Sequence, residues 1–454
     1  MAHRCSSRSS VDTAVKGQSE LDSPEQTETS SGGPGAGSDN TNHGARAAEA
    51  SHGGAALPPS TRIDTGWKPW KVVLGCFCLT VPTYGLLSGI GLFQTYWHHA
   101  MLRNHSESDI SWIISVFGFL NCLSAAPAGI LFDRYGSRWL LPLGCAAYVA
   151  SFIGLACSWT YAQLMACMAL AGVTSAVPTT IAFSVVSQWF GARKGLAIGC
   201  VTLGAALGGI FFSLVLEAFF DRFPWQTAAL VLTATMAALL LLGNVLVETN
   251  VPRRAASEDS EGRGVYHVLT CSEFWLVSYT LFGSIPSYAV SAGIGNKQFY
   301  LMVSYNIGAV IGQDCAPWLS DHVLGPLNAT ISMNVFTLLV VLTIWMPLGT
   351  SSIAALFLVA VLMGIGTGSF VPLGVSCINA LCNPLNTATW LGAAYSILAF
   401  ATLIGNPASA AILAQYRSYG LVAFLAAVLF SAMISAAALR WLVLGRRWIV
   451  KARA

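Results

Sequence analysis

Charge is what this sequence lacks most. Asp, Glu, Lys and Arg together supply 9% of its 454 residues, against the roughly 25% usual in soluble globular chains, so they cannot cover a water-facing surface of ordinary size. The 23 Lys and Arg exceed the 20 Asp and Glu by three and are scattered between apolar runs. That excludes a nucleic-acid partner from the expectation, since phosphate binding needs cations gathered on one face. Cysteine is present, but its 12 residues show no metal or disulfide spacing. Cys122, Cys145, Cys157, Cys167, Cys200 and Cys315 lie inside apolar runs and read as small hydrophobes. Catalytic groupings are missing as well: His98, His99 and His105 share one short loop with no Ser, Asp or Cys partner pattern. The expectation is a chain that is not an enzyme and carries neither cofactor nor metal.

What is there instead is apolar: 55% of the residues are hydrophobic and the mean hydropathy is +0.63. Windows of about twenty apolar residues match the ~30 Å hydrocarbon thickness of a bilayer. Twelve occur, near 70–93, 110–131, 139–157, 161–187, 195–217, 226–247, 274–294, 299–320, 330–348, 352–376, 390–413 and 420–443. The predicted fold is an all-α polytopic membrane protein, with twelve transmembrane helices in two pseudo-symmetric six-helix bundles and membrane lipid around them. Residues 1–66 read as a disordered cytoplasmic tail, rich in Ser, Gly, Thr, Glu and Pro. The bundles are expected over 67–247 and 274–443, joined by a polar linker at 248–273 and followed by a basic tail at 444–454. No apolar stretch follows Met1, so the first span is expected to direct insertion itself.

With the N-terminus placed inside, the outer loops hold only Arg103, Arg222, Lys297 and Arg417, which leaves 23 − 4 = 19 basic residues on the inner side. Both termini are then cytoplasmic, in a membrane expected to be the plasma membrane. Asn104-His105-Ser106 in the first outer loop is a glycosylation acceptor sequence, marking Asn104.

The stretch Gly129-Ile130-Leu131-Phe132-Asp133-Arg134-Tyr135-Gly136-Ser137-Arg138 ends one span and begins the next. A carboxylate at a helix end, arginines able to pair with it and a turn-permitting glycine make an electrostatic latch. A weaker copy, Pro317-Trp318-Leu319-Ser320-Asp321, lies 188 residues later with His322 and Leu324 in place of Arg134 and Gly136. Arg193 and Lys194 precede the fifth span and complete the latch set of Asp133, Arg134, Gly136, Arg138, Arg193, Lys194 and Asp321. Pro82, Pro178, Pro286 and Pro372 mark spans 1, 4, 7 and 10 as the candidate moving helices.

Gly-x-x-x-Asp-Arg-x-Gly-x-Arg resembles the loop between the second and third helices of the major facilitator superfamily. Asp64-Thr65-Gly66-Trp67-Lys68-Pro69-Trp70 and Trp189-Phe190-Gly191-Ala192-Arg193-Lys194-Gly195-Leu196-Ala197-Ile198-Gly199 are similar to signatures of its monocarboxylate porter family, particularly fungal members. The resemblance covers residues 64 to 445 and implies alternating access of two halves to a small-molecule substrate. It also implies a basic residue in span 1 and an Asp with an Arg one turn away in span 8. Here those positions read Ser88, and Gln313 with Ala309, so the cationic anchor for a carboxylate is absent.

Polar groups buried in a membrane normally face a cavity or a partner. The cavity candidates on that ground are Tyr84, Ser88, Thr179, Tyr279, Tyr288, Asn306 and Gln313, with Asp314 as the candidate proton carrier. The function expected is secondary transport of a small neutral or amphipathic solute, such as a vitamin or secondary metabolite. The alternatives are proton-coupled monocarboxylate transport, and a transporter-like sensor or inactive homologue.

Overall fold

The computed structural model describes residues 66–444 except 91–92, 94–95, 192, 221, 251–297, 349–352 and 383–385. Predicted span 7 with Tyr279 and Tyr288, and nearly all of the linker and both tails, lie outside the described residues. Among the described residues every regular element is a helix, and nine helices are long and apolar enough to cross a membrane.

Before the undescribed stretch come α1 (Trp67–Gly89), α2 (Glu107–Tyr135), α3 (Ser137–Ala156), α4 (Tyr161–Trp189), α5 (Lys194–Phe220) and α6 (Trp225–Leu246). After it come α7 (Gln298–Leu319), α8 (Pro326–Trp345), α9 (Ile353–Leu381) and α10 (Thr387–Val443). α7 has spanning length but is not among the nine, because Asn306, Gln313 and Asp314 interrupt its apolar run. Local chemistry sets the starts: Ser106 accepts the Asp109 N–H at 3.2 Å while the Asp109 carboxylate answers the Ser106 N–H at 3.1 Å, and Thr160 with Gln163 repeats this capping box on α4. Pro82 removes one helical donor from α1, and the chain widens into a π-helical turn over Val81–Gly85. The Tyr148 hydroxyl of α3 donates to Pro82 O at 3.0 Å there.

Helical backbone runs unbroken through the 57 residues of α10, about 85 Å if straight. Yet Ile412 packs against Leu425, thirteen residues further on, as does Trp345 at the end of α8. The stretch therefore doubles back and supplies both crossings expected at 390–413 and 420–443. Its ends return to one face: Thr389 bonds to Asp133 at the end of α2, and Arg440 Nε donates to Asn328 Oδ1 at the start of α8.

That face is the basic one. Lys71 Nζ lies 3.2 Å from Glu248 Oε1, Trp189 Nε1 donates to Glu248 O at 2.8 Å, and Trp70 meets the Phe190 ring edge-on at 5.4 Å. The two signature stretches thus clasp the start of α1 to the ends of α4 and α6.

Two turns on this face need backbone that only glycine adopts readily, Gly136 at φ 74° and Gly325 at φ 82°. Their positions correct the reading of the second motif copy. The turn glycine has not been lost to Leu324; it stands one residue later, and the extra residue is absorbed by a π-helical turn, Ser320–Leu324, closed by Gly325 N–H to Ser320 O at 2.9 Å.

Packing within each group of helices uses small residues to bring backbones together. A Cβ on Gly85 would come within 2.7 Å of Gly208 Cα, and Gly308, Gly312, Gly364 and Gly368 bring α7 and α9 equally close.

Candidate functional site

Two acidic residues cross from one group of helices to the other. Asp133 Oδ2 accepts the Thr389 N–H at 2.8 Å and the Thr389 hydroxyl at 2.7 Å, so the end of α2 caps the start of α10. Asp321 Oδ1 accepts the Gly195 N–H at 3.1 Å and its Oδ2 accepts the Leu196 N–H at 2.9 Å, so the end of α7 caps the start of α5. Each carboxylate meets the unsatisfied donors and positive dipole end of a helix in the opposite group. Arg134 lays its guanidinium 5.2 Å over the Tyr135 ring, and Arg138 and Arg193 are exposed on the same face. Lys194 begins α5 beside the Asp321 contact and stands near Cys382, which also lies near Asp133. The Cys382 thiol is pushed above its usual range, chiefly by burial.

From these caps the two groups stay in contact toward the membrane centre. Along α2 and α10, Gly129 abuts Ala388 O, Gly392 abuts Ala125 O, the Ser396 hydroxyl donates to Leu123 O at 2.8 Å, and Phe119 meets Phe400 at 5.8 Å. Along α5 and α7, Gly195 faces Asp321 and Pro317, Gly199 faces Gln313 O and Asp314, and Gly209 faces Asn306 and Ser88. The basic face is closed in this conformation.

Between the groups lies a narrow cleft, lined by Tyr84 of α1, Asn121, Cys122 and Ala125 of α2, Thr179, Thr180 and Phe183 of α4, and Leu391 and Tyr395 of α10. Among the described residues no lining group is charged. The cleft leaves about 10 Å³ of open space, room for about one water molecule, as expected where the helices have closed. Tyr84 and Phe183 stand 6.0 Å apart, ring to ring.

Of the cavity candidates, Tyr84 and Thr179 reach this cleft. Ser88 donates to Tyr84 O at 3.2 Å and, with Asn306, packs on Gly209; Gln313 packs on Gly199, so these three sit in the α5–α7 seam. Asp314 is in the same seam, and its Oδ1 is buried without a hydrogen-bond partner. Asn104 is exposed in the α1–α2 loop, beside a His105 ring stacked on Tyr161 at 5.0 Å. Sequence reasoning missed Asn121, Phe183 and Tyr395. Asn121 carried the signal already used elsewhere, an amide in an apolar span; the two aromatics are indistinguishable in sequence from those facing lipid. Among the described residues no group of His, Cys, Asp and Glu has the arrangement of a metal site.

Comparison with known proteins accords with this architecture. The profile of the family described as "Major Facilitator Superfamily" matches residues 72–351. The chain is 28% identical over 395 residues to "MFS-type transporter 1" of an Ophiocordyceps species, covering 82% of this chain and 86% of that one. It is 27% identical to "Riboflavin transporter MCH5" of Saccharomyces cerevisiae, covering 81% and 78%, and 25% identical to "Aspyridones efflux protein apdF" of Emericella nidulans, covering 82% and 76%. Among solved structures it matches the human organic anion transporter MFSD10, with a TM-score of 0.65 at 15% identity over 84% of this chain and all of that one. It also matches the proton:xylose symporter XylE, with a TM-score of 0.67 at 10% identity over 82% of this chain and 95% of that one; both likenesses bear on fold alone. With helices paired across two capped seams and a profile match over more than half its length, this chain belongs to the major facilitator superfamily, as an integral multi-pass membrane transporter of small molecules.

Proposed function

We propose that the solute carried by this secondary transporter is a small, neutral or amphipathic ring compound, taken up in the cleft between Tyr84, Asn121, Phe183 and Tyr395. The observation that carries the reading is the lining itself: aromatic faces and amide or hydroxyl groups, with no fixed charge. Flat faces hold a ring, and the few polar groups orient it. Two relatives are named for riboflavin transport and for aspyridones efflux, which supports an organic solute. The signature stretches joined at Glu248 support placement in the monocarboxylate porter family, but a carboxylate finds no cation in the cleft.

Movement is alternating access of the groups at 67–247 and 274–443, with Asp133 and Asp321 as latches that hold the basic face shut. Arg134, Arg138, Arg193 and Lys194 on that face are placed for acidic lipid. The distribution of Lys and Arg supports cytoplasmic termini; the plasma membrane is the membrane proposed.

Tyr395→Ala and Phe183→Ala are each expected to lower net solute flux about tenfold or more with normal abundance, since each removes a large contact surface from a small site. Comparison of metabolites inside and outside cells expressing each variant measures this. Flux unchanged in both, or signalling without net flux, would remove the proposal.

A proton is the proposed coupling partner through Asp314, an acid in the α5–α7 seam whose Oδ1 is buried without a hydrogen-bond partner. Asp314→Asn is expected to flatten the pH dependence of uptake in vesicles while leaving transport measurable. An unaltered pH profile would exclude Asp314 as the carrier.

A further inference from the structure

Ser175 decides which end of Asn121 the cleft sees. The Ser175 hydroxyl donates its single proton to Gly172 O at 2.9 Å, so it can only accept in its 2.7 Å contact with Asn121. The partner atom is therefore the amide nitrogen, an assignment made by chemistry rather than by the similar shapes of N and O. Ser175 is fully buried and Asn121 nearly so, and a flipped amide would set oxygen against oxygen at that distance. With one Nδ2 proton held against α4, Oδ1 is the acceptor that Asn121 keeps for the cleft it lines, beside its second N–H. One turn further along α4 the Thr179 hydroxyl donates to Ser175 O at 2.9 Å or Ala176 O at 3.0 Å, leaving only lone pairs for the cleft. Asn121 Oδ1 and Thr179 Oγ1 are thus two oriented acceptors on this wall. The hydroxyls of Thr180 and Tyr395 line the same cleft, and among the described residues no lining group is charged.

We propose that this fixed pair of acceptors selects neutral ring compounds bearing an N–H or O–H donor, such as lactams, imides and phenols, and rejects carboxylates. The inference rests on the reading of the cleft as the solute site. A donor fills the waiting lone pairs. A carboxylate brings lone pairs of its own, loses its water and meets no cation. Methylating the donor nitrogen leaves a buried acceptor unpaired, a loss on the order of tenfold in affinity.

Binding of tritiated 2-quinolone, its N-methyl derivative and 1-naphthoate to the purified full-length protein in lipid nanodiscs tests this. 2-Quinolone should bind about tenfold or more tightly than either of the others. Ser175→Ala lies outside the cleft lining and should free the amide to rotate, collapsing the ratio of N–H to N-methyl affinity to within about threefold without abolishing binding. A merely structural role for Ser175 would instead weaken all three probes by one common factor and leave the ratio intact, which overturns the proposal. Equal binding of the N–H and N-methyl compounds by the unaltered protein, or preference for naphthoate, overturns it too. If Tyr395→Ala then removes all binding, the cleft remains the solute site and only the donor rule falls. Binding of none of the three probes to the unaltered protein overturns the donor rule and the cleft assignment together.

Discussion

Replacing Gly392 with leucine is expected to lower net transport at least about tenfold while the protein still folds and inserts. The α10 backbone at this position lies against Ala125 O of α2, too close for any Cβ, and the obstructing atom is main chain, which cannot swing aside. Overpacking of this kind costs on the order of 1–3 kcal/mol. The strain exists only where α2 and α10 touch, so it penalises the conformer with a closed basic face and spares one in which the helices have parted. The equilibrium between them then moves by roughly 5- to 150-fold. Cys382, partly buried between Lys194 and Asp133, reports the change. Its labelling by an impermeant maleimide applied to the basic face, located by mass spectrometry, should rise severalfold in Gly392→Leu. Labelling and flux that match the unaltered protein would show that this contact does not govern closure.

The second large effect is expected from the two carboxylates. Asp133→Asn and Asp321→Asn each retain an acceptor oxygen but lose the charge that faces a helix start. Hydrogen bonds to charged groups contribute about 1.5–3 kcal/mol when buried. Both carboxylates are only partly buried, so solvent screening brings the expectation to about 1 kcal/mol each. Each single substitution should reduce flux about fivefold. The double substitution should reduce it about twenty-five-fold, because the seams are separate and act on the same closure. Thr389→Val removes one of the two donors to Asp133 and should cost about threefold. Initial uptake rates at matched surface abundance decide the matter; a double variant no worse than either single would mean that only one seam controls the gate.

Much of this arrangement was legible before any coordinates. Apolar runs of fixed length announce the spans, and the acid-glycine turn announces where a helix ends. What sequence could not supply was the direction in which Asp133 turns. Arg134 and Arg138 are its neighbours along the chain, and local pairing is the natural reading, yet its carboxylate accepts two hydrogen bonds from Thr389, 256 residues away. A helix start exposes several unsatisfied N–H groups, and a carboxylate placed there meets them at once. The apparent loss of Gly136 in the second copy arose from aligning residues without gaps. A π-helical turn lengthens one copy by a residue and hides the correspondence. Ser88 and Asn306 stand out in the sequence because polar groups in lipid seek cover, and they find it at Gly209 rather than in the cleft, while Gln313 meets Gly199 through its backbone carbonyl. The rule that buries a polar side chain does not say which neighbour buries it.

The exchange of caps between the two groups of helices carries a consequence for how such a chain can change over time. Each group lends an acid and borrows one, and the two loans are independent. Drift that erodes one motif is therefore cushioned by its twin as long as the lender's oxygen and the borrower's amide persist. The later copy shows what such cushioning permits: its arginine and its spacing have gone, while Asp321 and a left-handed glycine survive.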